Sequence, residues 1–140
     1  MVYFVRVIHV LEDRIQRIKN LLKDLQDIND VLGYIILSSD GLPIVAALEG
    51  DEETIKSISA MISTMYGAAY TIYNKFLETE LGRVLIEGPI SGSNGTKILV
   101  TGVGSDHILT IFMRATANIG LIILMVDQVK DELSRLLEST

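Results

Sequence analysis

The chain has 140 residues, room for one domain that buries roughly 70% of the surface its unfolded form exposes. Its formal net charge is −6, and its 12 Lys and Arg residues are scattered rather than gathered into a stripe. Nucleic-acid binding needs clustered positive charge to displace counterions from phosphate, so no nucleic-acid partner is expected. There is no cysteine, which excludes disulfides and thiolate metal sites and favours a cytoplasmic setting. Hydrophobic residues make up 49% of the chain and charged residues 21%, so part of the apolar surface is expected to face a partner. Residues 57–74 are uncharged but rich in Ser, Thr, Gly and Asn, and residues 108–126 carry Arg114 and Asn118; neither stretch is expected to insert into a membrane. The apolar start, residues 2–11, is interrupted by Arg6 and His9 and lacks a small-residue cleavage site, which argues against a signal peptide.

In chain order, Phe4, Ile8, Leu11, Ile15, Ile18, Leu22 and Leu25 recur at steps of four and three. That spacing predicts an amphipathic helix over residues 11–26. Residues 1–10 are set apart as an N-terminal extension, because Val2, Val5, Val7, Ile8 and Val10 are β-branched and no capping residue precedes them. Whether that extension prolongs a coiled coil, docks on the domain or forms a partner-binding arm stays open at this point.

Residues 33–38 and 42–48 flank Ser39-Asp40-Gly41, and Asp-Gly between two apolar runs predicts a hairpin. Pro43 lacks an amide donor, which places the second strand at a sheet edge. Asp51, Glu52 and Glu53 then open a long helix that runs to about residue 76, about 39 Å at 1.5 Å per residue. Three strands follow, over residues 83–87, 97–103 and 107–114. Gly88-Pro89 and Asn94-Gly95 mark the first connection between them, and Gly104-Ser105-Asp106 the second. The last strand reads apolar on both faces and is expected at the centre of the sheet. Asn118 would cap a closing helix with Ile122, Met125, Val129, Leu133 and Leu136 on its buried stripe. The result is one domain over residues 11–140, α/β (α+β) in class, with helices on both faces of an antiparallel sheet.

This order resembles the roadblock/dynein light chain family, with its Ser-Asp-Gly hairpin after the first helix, its long second helix and its closing run Ala117-Asn118-Ile119-Gly120-Leu121-Ile122. The resemblance covers the chain from about Leu11 onward and lies in the ordered combination of short, degenerate motifs. It implies a five-stranded antiparallel sheet with the long helix on one face and the terminal helices on the other. It also implies pairing of two chains through the long helix and the third strand, where Val84 and Ile86 fall, and regulation or scaffolding of small Ras-like GTPases. The family supplies no catalytic residue to carry over. The first ten residues depart from its pattern, in which the first helix begins closer to the body of the domain.

The long helix carries information of its own. Ile55, Ile58, Met61, Ile62, Met65, Tyr66, Ala69, Ile72, Tyr73 and Phe76 fall on one broad arc, which is expected to cover the sheet. The opposite face carries Ala60, Ser63, Thr64, Gly67 and Thr71, with no charge between Lys56 and Lys75. Small residues let two helix backbones approach closely, and a mid-helix glycine costs about 1 kcal/mol relative to alanine. Two copies are therefore expected to cross antiparallel near Thr64, bringing Glu53 of one towards Lys75 of the other.

Candidate chemistry is sparse. The loop from Gly88 to Lys97 lacks the Gly-Lys-Ser/Thr ending of a phosphate-binding loop and joins two strands. Ser105, Asp106 and His107 contain hydrolase residue types, but adjacent residues cannot generally reach triad geometry, so a turn is expected. His9 and His107 are the only histidines and suggest no metal site. Arg83 and Arg114 could each serve as an arginine finger but read more simply as structural. No catalytic residue, cofactor or metal is expected. The leading expectation is a homodimeric regulator or scaffold of a small GTPase. The alternatives are a structural adaptor without effect on hydrolysis and a small-ligand sensor, which would require a cavity with convergent polar groups.

Overall fold

The computed structural model describes residues 2–89 and 95–138, with residues 2–9 described by backbone alone. The middle of the connection expected around residues 88–95 thus lies outside the described residues, as does the side chain of His9. Helix α1 (Val2–Leu21) is followed by one short turn, α2 (Lys23–Gln26). The two are nearly one helix, because the Leu22 N–H still donates to the Ile18 carbonyl at 3.1 Å and the Leu22 carbonyl accepts from the Gln26 N–H at 2.9 Å. The helix begins at Val2, well before residue 11, so residues 2–10 belong to it.

Strands β1 (Val31–Ser38) and β2 (Pro43–Ala47) form the expected hairpin. Gly41 takes φ +91°, in the left-handed region that favours glycine, and donates its N–H to the Ser38 carbonyl at 2.9 Å. Pro43 starts the edge strand, and the register slips there: Ile36 pairs with Val45 but Leu37 with Pro43, leaving Ile44 as the extra residue of a bulge. Gly33 is needed for a close approach, since a Cβ there would run into the Ala47 carbonyl oxygen. After α3 (Glu52–Thr71) come β3 (Val84–Glu87), β4 (Thr96–Val103), β5 (His107–Arg114) and α4 (Ile119–Glu138). The strand order is β2-β1-β5-β4-β3 with every neighbouring pair antiparallel, so β5 is central as its two apolar faces predicted.

Period-two alternation sends successive side chains to opposite faces. Tyr34, Ile36, Leu99, Leu109, Ile111 and Met113 pack with Ile18, Leu22 and Leu25 of the first helical segment and with Ile122, Val126, Leu133 and Leu137 of α4. On the other face Ile35, Leu37, Val100 and Ile108 pack with Ile55 and Ile62 of α3. The terminal helices therefore share one face and α3 covers the other. Both long helices start as the sequence predicts: Asp51 Oδ1 accepts from the Thr54 N–H at 2.7 Å, and Asn118 Oδ1 from the Leu121 N–H at 3.1 Å.

One expectation fails. The arc from Ile55 to Phe76 covers the sheet only in part: Ile55, Ile58, Ile62, Met65 and Tyr66 pack on it, but Met61 is 64% exposed, Ile72 52% and Phe76 75%, and Tyr73 is exposed as well. The helix outruns what it covers. It starts beside β2, where Ile55 lies near Gly50, and reaches β4 where Tyr66 lies over Gly102. Five strands at about 4.8 Å spacing span only about 19 Å, whereas the helix and its continuation cover nearly twice that at 1.5 Å per residue. Its last turn, Ile72–Phe76, is a π-helix in which the Leu77 N–H reaches the Ile72 carbonyl at 3.1 Å. The chain then turns at Glu78, with φ +54°, and the Thr79 N–H returns to the Tyr73 carbonyl at 3.1 Å.

Candidate interaction face and adjoining cavity

The outward face of α3 is built by hydroxyls that point back into their own helix. Thr64 Oγ1 donates to the Ala60 carbonyl at 3.0 Å and Thr71 Oγ1 to the Gly67 carbonyl at 2.9 Å. Their polarity is thereby satisfied within the helix, and methyl groups are left as the outward surface. At 100° per residue, Glu53, Ala60, Thr64 and Thr71 lie within about 20° of the pole opposite Ile62, and Gly67 about 40° from it. Glu53, Ala60, Thr64, Gly67 and Thr71 are all exposed, as expected of them. A Cβ added at Gly67 would meet nothing within 4 Å, so no contact within the chain requires glycine there.

Ser63 departs from this group. It is partly buried and donates its hydroxyl to the Ser39 carbonyl at 2.7 Å, which ties α3 to the β1–β2 turn. Lys75 lies in the overhanging π turn and is exposed. Among the described residues neither Glu53 nor Lys75 has an ion-pair partner. Val84 and Ile86 are partly buried on β3, which among the described residues is bonded only to β4 and leaves its other edge open. Sequence reasoning missed the overhang, where Tyr70, Ile72, Tyr73, Phe76 and Leu77 form an uncovered apolar end. The signal was the length of the helix set against the width of a five-stranded sheet.

The other candidates resolve into structural roles. Arg83 lies 3.6 Å from Asp127, and Arg114 Nε lies 4.0 Å from Asp30. Asp30 also accepts from Thr116 Oγ1 at 2.8 Å, and its carbonyl from the Arg114 N–H at 2.8 Å, so it latches the turn after α2 to the end of β5. Ser105 and Asp106 form the β4–β5 turn, where the Asp106 carbonyl accepts from the Ser39 N–H at 2.8 Å. Among the described residues no group of three or more His, Cys, Asp and Glu could hold a metal ion, and no helix is long and apolar enough to cross a membrane.

The polar content near α3 exceeds what the sequence suggested. A cavity of about 320 Å³ lies between Ser63, Tyr66, Gly67 and Tyr70 on the helix and Ser39 and Ser105 in the facing turns. Burial raises the Tyr66 hydroxyl above its ordinary pKa, opposed by the nearby Gly102 amide.

A five-stranded antiparallel sheet with the terminal helices on one face and α3, exposed along its outer side, on the other defines the architecture of the class. The chain belongs to the roadblock/LC7 family, whose domain model matches residues 17–112. Among solved structures it is similar to MglB of Myxococcus xanthus, at 19% identity over 89% of this chain and 97% of that one, with a TM-score of 0.75. It is also similar to a roadblock/LC7 domain from Streptomyces avermitilis, at 21% identity over 81% and 94%, TM-score 0.66. A third likeness is to an MglB described as having a tetrameric arrangement, at 12% identity over 89% and 90%, TM-score 0.74. At these identities the likeness is one of fold. No curated protein matches the chain by sequence.

Proposed function

We propose that the chain is a non-catalytic homodimeric module that regulates or scaffolds a small Ras-like GTPase in the cytoplasm, with residues 11–140 as its working domain and residues 1–10 as an N-terminal extension. The observation that carries the reading is the outer face of α3, small and methyl-rich at Ala60, Thr64, Gly67 and Thr71 and continued by the apolar overhang. Exposed apolar surface of this kind marks interaction sites. A two-fold crossing near Thr64 would cover it, bring Glu53 towards Lys75 of the second copy, and set the open β3 edges with Val84 and Ile86 beside one another. Ser63 belongs to the same proposal only as a support, since its hydroxyl is committed to the Ser39 carbonyl. Membership of the roadblock/LC7 family supports the regulatory role, and the tetrameric MglB supports self-association.

The experiment has two arms. Light scattering on Gly67→Leu tests the crossing, with loss of the dimer expected. A pulldown from the source cell, followed by a GTP hydrolysis assay on any GTPase recovered, tests the partner. Recovery of partners without nucleotide-binding activity would replace the regulator with a structural adaptor, and an undisturbed Gly67→Leu dimer would remove the close crossing.

A further inference from the structure

The cavity beside α3 is not accounted for by self-pairing. Ser63, Tyr66, Gly67 and Tyr70 follow one another at steps of three, one and three, so they form one flank of the helix between its inner and outer faces. The facing wall combines Gly102, Gly104 and Ser105 of the β4–β5 hairpin, His107 and Ile108 at the start of β5, and Ser39 from the turn after β1. Tyr66 lies across Gly102 so closely that a Cβ there would meet its hydroxyl oxygen at 2.5 Å. Hydroxyls and the His107 imidazole therefore rim a space whose broad surfaces are two tyrosines, Ile108 and glycine backbone.

We infer that this cavity receives an uncharged aromatic ring bearing one hydrogen-bonding group. Three observations select that chemistry. Among the described residues no Asp, Glu, Lys or Arg lines the space, so an ion entering it would lose water against only hydroxyls, backbone and the His107 imidazole. Tyr66 and Tyr70 offer aromatic surface for edge or offset contacts, and the serine and tyrosine hydroxyls offer partners for a single polar substituent. The volume of about 320 Å³ is about twice the roughly 150 Å³ of an apolar cavity that takes benzene, which leaves room for one substituted ring or a fused pair. Gly67 borders the cavity as well as the outer face. Mid-helix glycine is unfavourable, and here its bare backbone opens the cavity wall without being required by any contact of its own chain. The ring could belong to a free small molecule or to a Tyr or Trp side chain of a partner; the recognition chemistry is the same.

The test is a titration of the full chain with 4-methylphenol, followed by amide NMR, with cyclohexanol and phenyl phosphate as controls. Saturable shifts are expected at Ser39, Ser63, Gly67, Gly102 and Ser105, with cyclohexanol and phenyl phosphate each at least about tenfold weaker. Gly67→Leu should fill the space and Tyr70→Ala should strip one wall, each weakening 4-methylphenol by about tenfold or more. Both variants should fold, because nothing lies near Gly67 and Tyr70 is half exposed. Absence of saturable shifts, equal binding of either control, or unchanged binding in both variants would overturn the inference. Native mass spectrometry of freshly purified protein separates the sources: a retained aromatic molecule marks a free ligand, and 4-methylphenol binding by protein that retains none marks a partner's side chain. The Tyr70→Ala readout is ring binding rather than oligomeric state, so failure here leaves the proposed pairing standing, and the reverse.

Discussion

Helices α3 and α4 are both 20 residues long, yet they finish their faces of the sheet differently. Along α4 burial runs from Ile122 through Val126 and Leu133 to Leu137, almost the whole helix. Along α3 full burial ends at Ile62, after Ile55 and Ser59, Met65 and Tyr66 are half-buried against the sheet, and beyond them Tyr70, Ile72, Tyr73 and Phe76 lie in the open. The cause lies in the neighbours. α4 shares its face with α1 and α2, whose Ile18, Leu22 and Leu25 fill the space beside it, whereas α3 lies alone on its face. Apolar sequence on a helix therefore reports what must be covered, and not that the same chain covers it.

The largest expected effect is on the closed face. Ile122 is fully buried among the terminal helices and the sheet, so Ile122→Ala should cost about 2–5 kcal/mol in urea unfolding. Ile62→Ala should fall at or below the low end of that range, about 2 kcal/mol, because Met61 beside it already faces solvent and the site can relax. Both should be measured at one protein concentration, since pairing would add to apparent stability. Equal losses at the two positions would mean that α3 is as tightly closed as α4, and the contrast would be lost.

The overhang gives a smaller effect on folding and a larger one on assembly. Phe76→Ser removes a side chain that is 75% exposed, so stability of the isolated chain should change by no more than about 0.5 kcal/mol. Should a second copy cover that end, the same change should weaken self-association by about tenfold or more in sedimentation equilibrium. A substitution that lowers stability without moving the association equilibrium would place Phe76 in a contact within the chain.

These asymmetries also explain what could be read in advance. Hairpin, caps and edge strand were legible because each depends on local chemistry: left-handed backbone at Gly41, a missing amide at Pro43, side-chain acceptors at Asp51 and Asn118. The extent of helical coverage was not legible, because Ile62 and Ile72 look alike in sequence and differ only in whether the sheet lies beneath them. Ser63 was misgrouped with Thr64 for a related reason. Both are small hydroxyl residues on adjacent positions, but Ser63 finds the Ser39 carbonyl 24 residues away in the chain, a contact no periodicity reveals. The cavity shares that origin, since it forms between segments far apart in sequence.

The two helix caps sharpen the comparison at its smallest scale. Hydrogen bonding to Thr54 holds the Asp51 carboxyl below its ordinary pKa. A carboxyl depressed in the folded state contributes stability that is present above its unfolded value of about 3.9 and is lost as pH falls through the folded value. The Asn118 cap on α4 carries no titratable group, and its contribution does not follow pH in this way. Acidification should therefore loosen the start of α3 before the start of α4, seen as earlier loss of amide protection at Thr54 and Ile55 than at Leu121 and Ile122. Asp51→Asn keeps an acceptor for the Thr54 N–H but removes the charge, so its protection should be lower at neutral pH and nearly flat on acidification. Should Asp51→Asn lose protection with acid as steeply as the natural chain, the titrating group would lie elsewhere, and the cap would not be the point at which the open face gives way first.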